Sequence, residues 1–273
     1  MVVLLMSLSL LTMSNGQDDL RSLLSHANTI QQKGDFLFAA RLFKMVASKA
    51  TDSTLISEAL YGFVTCGDRA ANAFTSRQFT LETFYRIKAE STWNDVFKPI
   101  LERDIAEFTK IGIPLKIISY FETYCVNADT STRQLLSNRF GDTPFGERAA
   151  FDLITGELDS RGYPLFNHPD PVIKRANSFL ERFPNSIYAY DVAHILGLAF
   201  QDLWNFSQRH PDMLTKSELK SPQELRQRAI YHLSYARDNQ AKLRKVKWDS
   251  SSKEVLDDLK SGRETSYYFF FSD

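Results

Sequence analysis

Apolar residues recur at spacings of three and four along most of the chain, which is the period of an α-helix with one buried face. Near the N-terminus Leu23, Ala27 and Ile30 share such a face, and Gly34 interrupts the pattern. A second face follows, formed by Phe36, Ala39, Ala40, Phe43 and Val46. Two helices joined by a short glycine-containing turn form an antiparallel hairpin. Because such a hairpin cannot cover its own apolar side, we expect further helices to pack on it.

The stretch FLERFPNSIYAYDVAHILGLAF, residues 179–200, predicts a second pair of helices. Asp170 is placed to cap a first helix beginning at Pro171, and Pro184 ends it because proline cannot continue a helix. Asn185 and Ser186 can cap the next helix. Its predicted core residues are Tyr188, Val192, Ile195, Leu196, Ala199 and Phe200.

The remaining apolar runs predict an all-α fold with little or no sheet. We expect a helix over 55–66 that ends at Gly67-Asp68, and a weak helix over 131–138 in a junction rich in polar residues. Further helices are predicted over 69–77, 79–90, 93–110, 114–126, 144–158, 225–243 and 253–260. These patterns predict that the chain is divided into a leader over 1–16, helical regions over 17–140 and 141–262, and an aromatic tail over 263–273.

The N-terminal residues have the layout of a secretory signal peptide. The run Val2–Met13 is mostly apolar and is followed by small residues, which places cleavage near Gly16. The run is shorter than the roughly 20 apolar residues of a membrane span. No Lys or Arg precedes Arg21, so a first amphipathic helix of a cytosolic protein is the alternative.

Composition narrows the classes of function. Lys plus Arg and Asp plus Glu both number 33, so the basic surplus typical of nucleic-acid binders is missing. With 21 Phe and 11 Tyr but only 11 Gly and 9 Pro, the chain has many large packing groups and too few turn residues for a β-sandwich.

The sequence predicts no catalytic, cofactor or metal site, and it does not identify binding residues. The five histidines have no helical metal-pair spacing, and no HExxH, GxSxG or P-loop pattern occurs. His194, close to Asp191, is interpreted as a structural histidine. The acidic residues of one predicted helix are interpreted as a solvated face: Glu147, Asp152 and Glu157. A basic run is interpreted first as a solvated helix end and second as a patch for an acidic partner: Lys242, Arg244, Lys245 and Lys247.

Two features are left open by the residues alone. Cys66 and Cys125 either form a disulfide, which suits an exported protein, or remain two buried thiols. The aromatic run Tyr267–Phe271 either packs over the last helices or serves as a partner-binding segment or added strand.

Residues 179–200 resemble the junction between tetratricopeptide repeats and are similar to repeats in bacterial cell-envelope proteins. The matching positions are Phe179, Leu180, Phe183, Pro184, Ser186, Tyr188, Ala189, Leu196, Gly197 and Phe200. Gly34-Asp35-Phe36 with Ala39 and Phe43 looks like the same repeat, and Ala229, Leu233 and Ala236 fill equivalent positions in a later helix.

The resemblance implies an α-α superhelix of helical pairs and a non-catalytic protein-binding scaffold in the secreted or periplasmic compartment. A protein or peptide partner is expected, with no cofactor, no nucleic acid and no membrane span after removal of the leader. One alternative is a small-molecule-binding or hydrolytic protein whose pocket is closed by the loops 160–171 and 201–221. Another is a cytosolic regulatory repeat protein.

Overall fold

A computed structural model describes residues 16–85, 98–120, 123–156, 170–209 and 221–264, although the side chains of 76–85, 118–120, 123–125 and 170 lie outside the description. Two compact units divide the chain, Met1–Ala149 and Ala150–Asp273. The sequence places the junction of the two helical regions earlier, between residues 140 and 141.

The first unit opens on the predicted hairpin, which is confirmed. Helix α1 spans Gly16–Gln32 and α2 spans Phe36–Lys49. Gly34 between them has φ +88°, a left-handed conformation that glycine adopts without steric cost. The carboxylate of Asp35 accepts a hydrogen bond from the Phe38 amide at 3.1 Å and thereby caps α2. The predicted apolar face of α2 is buried in the unit's core: Ala39, Ala40, Phe43 and Val46.

The predicted break at Gly67-Asp68 is wrong. Helix α3 runs without interruption through Ser53–Tyr85 and absorbs the separate helix predicted over 69–77, together with the described part of the one over 79–90. A Cβ atom on Gly67 would lie only 2.6 Å from Cγ2 of Ile113. Because Gly67 has no side chain, Ile113 can pack closely against α3 at this position, and the helix continues through the glycine.

The helix predicted over 114–126 is also wrong, because this segment forms a β-hairpin. Helix α4 spans Lys98–Ile111, Gly112 turns the chain with φ +95°, and the antiparallel strands β1, Leu115–Tyr120, and β2, Thr123–Ala128, follow. The register pairs Leu115 with Ala128 and Tyr120 with Thr123. The sequences LKIISY and TYCVNA are rich in β-branched and aromatic residues, which fit a pleated surface better than a helix.

The hairpin packs on α3 and completes the core of the first unit. Leu115 and Val126 are buried, and the Val126 amide donates a hydrogen bond to Oγ1 of Thr75 at 3.0 Å. Helices α5, Ser131–Arg139, and α6, Pro144–Thr155, agree with the predictions over 131–138 and 144–158, and the boundary between the two units falls within α6. The all-α class with little sheet is confirmed.

The second unit contains the helices of the FLERFPNS segment and those after it. They are α7, Asp170–Arg182; α8, Ala189–Arg209; α9, Pro222–Asp238; a 3-10 turn, Gln240–Lys242; and α10, Ser250–Ser261. Residues 183–188 separate α7 from α8, as Pro184 predicts. Ala229 and Leu233 of α9 belong to the hydrophobic core of this unit, and Ala236 is also fully buried. A Cβ on Gly197 of α8 would lie 2.5 Å from Cγ of Leu233, so the two helices are in close contact there.

Several predictions fall on other parts of the chain. The leader, the aromatic run Tyr267–Phe271 and nearly all of the 160–171 loop lie outside the described residues. The predicted 201–221 link begins later than expected, because residues 201–209 form the last turns of α8. Among the described residues, no helix is long and apolar enough to cross a membrane.

Candidate functional site

Among the described residues, the exposed tyrosines Tyr231 and Tyr235 lie close together on the second unit. Tyr231 and Tyr235 lie one helical turn apart on α9 and keep 67% and 42% of their surface exposed. Tyr190, in the first turn of α8, stacks on Tyr235 with ring centroids 5.4 Å apart and an interplanar angle of 26°. Nζ of Lys242 donates a hydrogen bond to the Tyr190 hydroxyl at 3.0 Å. We refer to Tyr190, Tyr231, Tyr235 and Lys242 as the tyrosine surface.

The polar ends of these side chains interact with one another. The hydrogen bond from Lys242 lowers the pKa of the Tyr190 phenol, and the positive charge of the same ammonium acts in the same direction. Partial burial, followed by the neighbouring Tyr190, raises the pKa of Tyr235. The ring of Tyr231 meets the imidazole of His232 edge-on at 5.1 Å. These contacts restrict the rings while leaving two of them open to solvent.

A buried carboxylate holds the segment that carries Lys242. Asp191 has no exposed surface, and its two carboxylate oxygens accept hydrogen bonds from three successive backbone amides of Arg244, Lys245 and Val246. The N···O distances are 2.7–3.1 Å. Three amides converging on one carboxylate are a typical anion-binding arrangement of a turn. Asp191 thus fixes residues 244–246 to the start of α8.

This attachment gives the segment an inner and an outer side. The side chains of Val246 and Trp248 pack against the core of the second unit. Arg244, Lys245 and Lys247 are exposed, and none forms an ion pair with any of the described residues. The basic run of the sequence is therefore the outer side of a fixed loop next to the tyrosine surface.

His194 lies one turn further along α8, in the interior. Its Nε2 is 2.9 Å from Oγ of Ser252, and that hydroxyl donates to the carboxylate of Asp249, the N-cap residue of α10. Because the serine proton is used for Asp249, Nε2 of His194 carries the proton and donates it. Nδ1 has no hydrogen-bond partner among the described residues. Burial lowers the pKa of His194 to about 4, although Asp249 and Asp191 oppose the change, so the ring is neutral at physiological pH.

We expect His194 to make the folded state sensitive to acid. Since its pKa is lower in the folded than in the unfolded chain, the unfolded state gains the proton first, and stability falls as the pH drops from about 6.5 to about 4. The shift corresponds to about 3 kcal/mol. In urea titrations across this range, His194→Gln should lose less free energy of unfolding than the wild type.

Two comparisons make this pH prediction specific. His232, whose pKa burial also lowers to about 4, contributes a second and separate share of the acid sensitivity. His26→Gln, at an exposed position of α1, should behave like the wild type. Equal pH profiles for His194→Gln and the wild type would show that the ring is not held as the geometry indicates.

The C-terminal half of α8 has a second buried polar face. Gln201, Asp202 and Asn205 have no exposed surface, and each takes part in polar interactions. Asn205 follows Gln201 by four residues and Asp202 by three, so its side chain neighbours both of theirs along the helix. A groove of about 530 Å³ lies elsewhere in the unit, along α10, and is lined mainly by charged side chains. Three of the lining residues form ion pairs: Arg263 pairs with Asp258 at 2.8 Å, and Glu264 pairs with Arg209 at 2.5 Å.

The other candidate residues of the sequence are not brought together. Glu147 and Asp152 lie half-buried on α6, and Glu157 lies outside the described residues, as do His168 and His210. Within the described ranges, no group of three His, Cys, Asp or Glu side chains could hold a metal ion.

Cys66 is a free, fully buried thiol of α3. Its sulfur accepts a hydrogen bond from Nε2 of Gln31 at 3.1 Å, and burial raises its pKa to about 12, so the thiolate needed for nucleophilic chemistry does not form at neutral pH. The side chain of Cys125, on β2, lies outside the described residues.

The tyrosine surface is the feature that the sequence reasoning missed. Tyr231 and Tyr235 occupy the solvent side of the α9 pattern, opposite Ala229 and Leu233, and two tyrosines at i and i+4 on a polar face are the signal that could have revealed them. No protein-family model matches this chain, and neither a curated protein nor a solved structure matches it.

Proposed function

We propose that this protein is a non-catalytic, protein-binding scaffold of the secreted or periplasmic compartment, and that the tyrosine surface is its contact site. The observation that carries the proposal is the exposure of Tyr231 and Tyr235 beside Tyr190 and Lys242 on tightly packed helices. Tyrosine is enriched among the residues that dominate protein interfaces, because it buries a large ring and still hydrogen-bonds through its hydroxyl.

The way in which the rings are held also supports this role. Stacking and hydrogen bonding restrict Tyr190 and Tyr235 before any partner arrives, so binding loses less side-chain entropy than it would with free rings. We place α8 and α9 in a tetratricopeptide-like pair, in which Gly197 allows the close approach to Leu233. Export, the repeat-type superhelix and the absence of catalysis are parts of the same proposal. The pocket protein and the cytosolic regulator remain predictions from the sequence.

Photo-crosslinking in the native host tests the proposal. A photoreactive phenylalanine analogue replaces Tyr231 or Tyr235 in turn, and ultraviolet light should convert the protein into one or a few discrete, heavier adducts. Ile100 and Leu135 are matched controls, since they are exposed to 44% and 46% but belong to the first unit. We expect little or no adduct from those two positions. Adducts that form equally from all four positions, or from none, would contradict a contact site at the tyrosine surface.

A further inference from the structure

The loop formed by residues 242–247 combines exposed positive charge with a fixed backbone. Arg244, Lys245 and Lys247 are exposed and Lys242 bonds to Tyr190, while the backbone amides of 244–246 bond to the buried Asp191. No carboxylate among the described residues lies within ion-pair distance of these four cations. Asp191 is occupied by the amides, and Asp249 caps α10.

We propose that the loop 242–247 supplies positive charge beside the tyrosine surface and binds an acidic segment of a partner protein. The inference rests on the proposed function and adds the chemical class of the partner: a peptide segment rich in Asp or Glu with aromatic or aliphatic residues between them. The cations fit the carboxylates, and the rings of Tyr231 and Tyr235 fit the intervening apolar groups.

The fixed backbone distinguishes this loop from a flexible, solvent-exposed stretch of charged residues. Val246 and Trp248 face the core and the amides face Asp191, so the basic side chains are directed outward without any ordering of the loop on binding. A surface that is organised before binding loses less conformational entropy in the complex. Arg244, Lys245 and Lys247 also have no carboxylate among the described residues to release on binding.

An acidic protein segment fits better than a nucleic acid. The chain as a whole has 33 basic and 33 acidic residues, so it has no general excess of positive charge for a phosphate backbone. The four cations of the proposed site all lie within residues 242–247, and the exposed Tyr231 and Tyr235 lie beside this loop. A short acidic segment with apolar anchors uses both features.

The test measures fluorescence anisotropy of a fluorescein-labelled copolymer of glutamate and tyrosine on titration with the full chain. The variant Arg244→Gln/Lys245→Gln removes two positive charges but keeps the backbone amides that bind Asp191. We expect the copolymer to bind the wild type, to bind more weakly as salt is added, and to bind this variant about tenfold more weakly. Lys33→Gln/Lys49→Gln removes the same charge from exposed positions of the first unit and should bind like the wild type.

The outcomes separate this inference from the proposed function. If Tyr231→Ala/Tyr235→Ala weakens binding and Arg244→Gln/Lys245→Gln does not, the tyrosine surface binds without help from the basic loop. The present inference then fails, while the proposed function stands. The inference also fails if a single-stranded oligonucleotide of equal charge binds as tightly as the copolymer, or if the copolymer does not bind. A loss of affinity shared by both double variants, with the oligonucleotide binding more weakly, supports it.

Discussion

Asp191→Ala is expected to lower the free energy of unfolding by about 4 kcal/mol, one of the two largest effects of a single substitution that we predict. Alanine would leave the backbone amides of Arg244, Lys245 and Val246 without their acceptor in a partly buried place. Removing a partner from a buried polar group costs the full desolvation of the groups left behind, which exceeds the gain from an average hydrogen bond. Urea denaturation followed by circular dichroism measures the change.

Two further variants show whether the carboxylate itself is responsible. Asp191→Asn keeps one acceptor oxygen and most of the shape, so we expect about half of the loss caused by alanine. Asp238→Ala removes an exposed carboxylate that pairs with its neighbour Arg237 and should change stability by less than about 0.5 kcal/mol. Stability that is nearly unchanged in Asp191→Ala would mean that the loop 242–247 is not held by this residue.

The second large effect is expected where α8 meets α9. Gly197→Ala places a methyl group 2.5 Å from Cγ of Leu233 and 3.0 Å from its backbone nitrogen, closer than carbon atoms can pack. Overpacking of this kind costs about 1–3 kcal/mol. Leu233→Ala creates a cavity in a fully buried position and should cost about 2–5 kcal/mol.

The double variant is the decisive arm of this experiment. The new methyl group of Gly197→Ala can occupy space left by Leu233→Ala, so the two losses should add to more than the loss of the double variant, by at least about 1 kcal/mol. Ser22→Ala, at an exposed position of α1, serves as the control and should leave the free energy of unfolding nearly unchanged. Strictly additive losses at 197 and 233 would show that the two positions are not in contact.

Short-range patterns predicted much of the fold. The hairpin around Gly34 and the break at Pro184 follow from backbone chemistry that acts over a few residues, and both are confirmed. The errors come from contacts that are distant in sequence. The local pattern predicts a helix end at Gly67, but Ile113, which is far along the chain, packs against this glycine and the helix continues. The segment over 114–126 has apolar residues at spacings that suit a helix or a strand, and its packing on α3 decided in favour of the strands.

The candidate site was less accessible to prediction for a related reason. The spacing of Tyr231 and Tyr235 is the one local signal of the surface, but packing does not constrain the exposed side of a helix, so the apolar pattern of α9 does not assign them a role. The role of Asp191 depends on amides more than fifty residues away, a pairing that no local motif encodes. His194 was interpreted as structural on its own helix, and its partner Ser252 is equally remote in sequence.

Together these contacts connect the stability of the second unit with the binding that we propose for it. Asp191 attaches the loop 242–247 to the beginning of α8, and Gly197 lets α9 lie close enough to bring Tyr235 onto Tyr190. The tyrosine surface is thus built from three segments that the core of the second unit holds in place. Substitutions in the supporting contacts should reduce both stability and binding, whereas substitutions on the surface should reduce binding alone.

The most direct test of the tyrosine surface as the contact site uses a partner identified by crosslinking. The affinity of this partner is measured for the wild type and for Tyr231→Ala/Tyr235→Ala. Isothermal titration of the purified partner against the wild type and the double variant gives the comparison, and urea denaturation shows that both proteins are equally folded. We predict an affinity at least tenfold lower, since two interface tyrosines contribute roughly 1 kcal/mol or more each, with stability unchanged. Equal affinity for the two proteins would contradict the assignment of the tyrosine surface as the contact site.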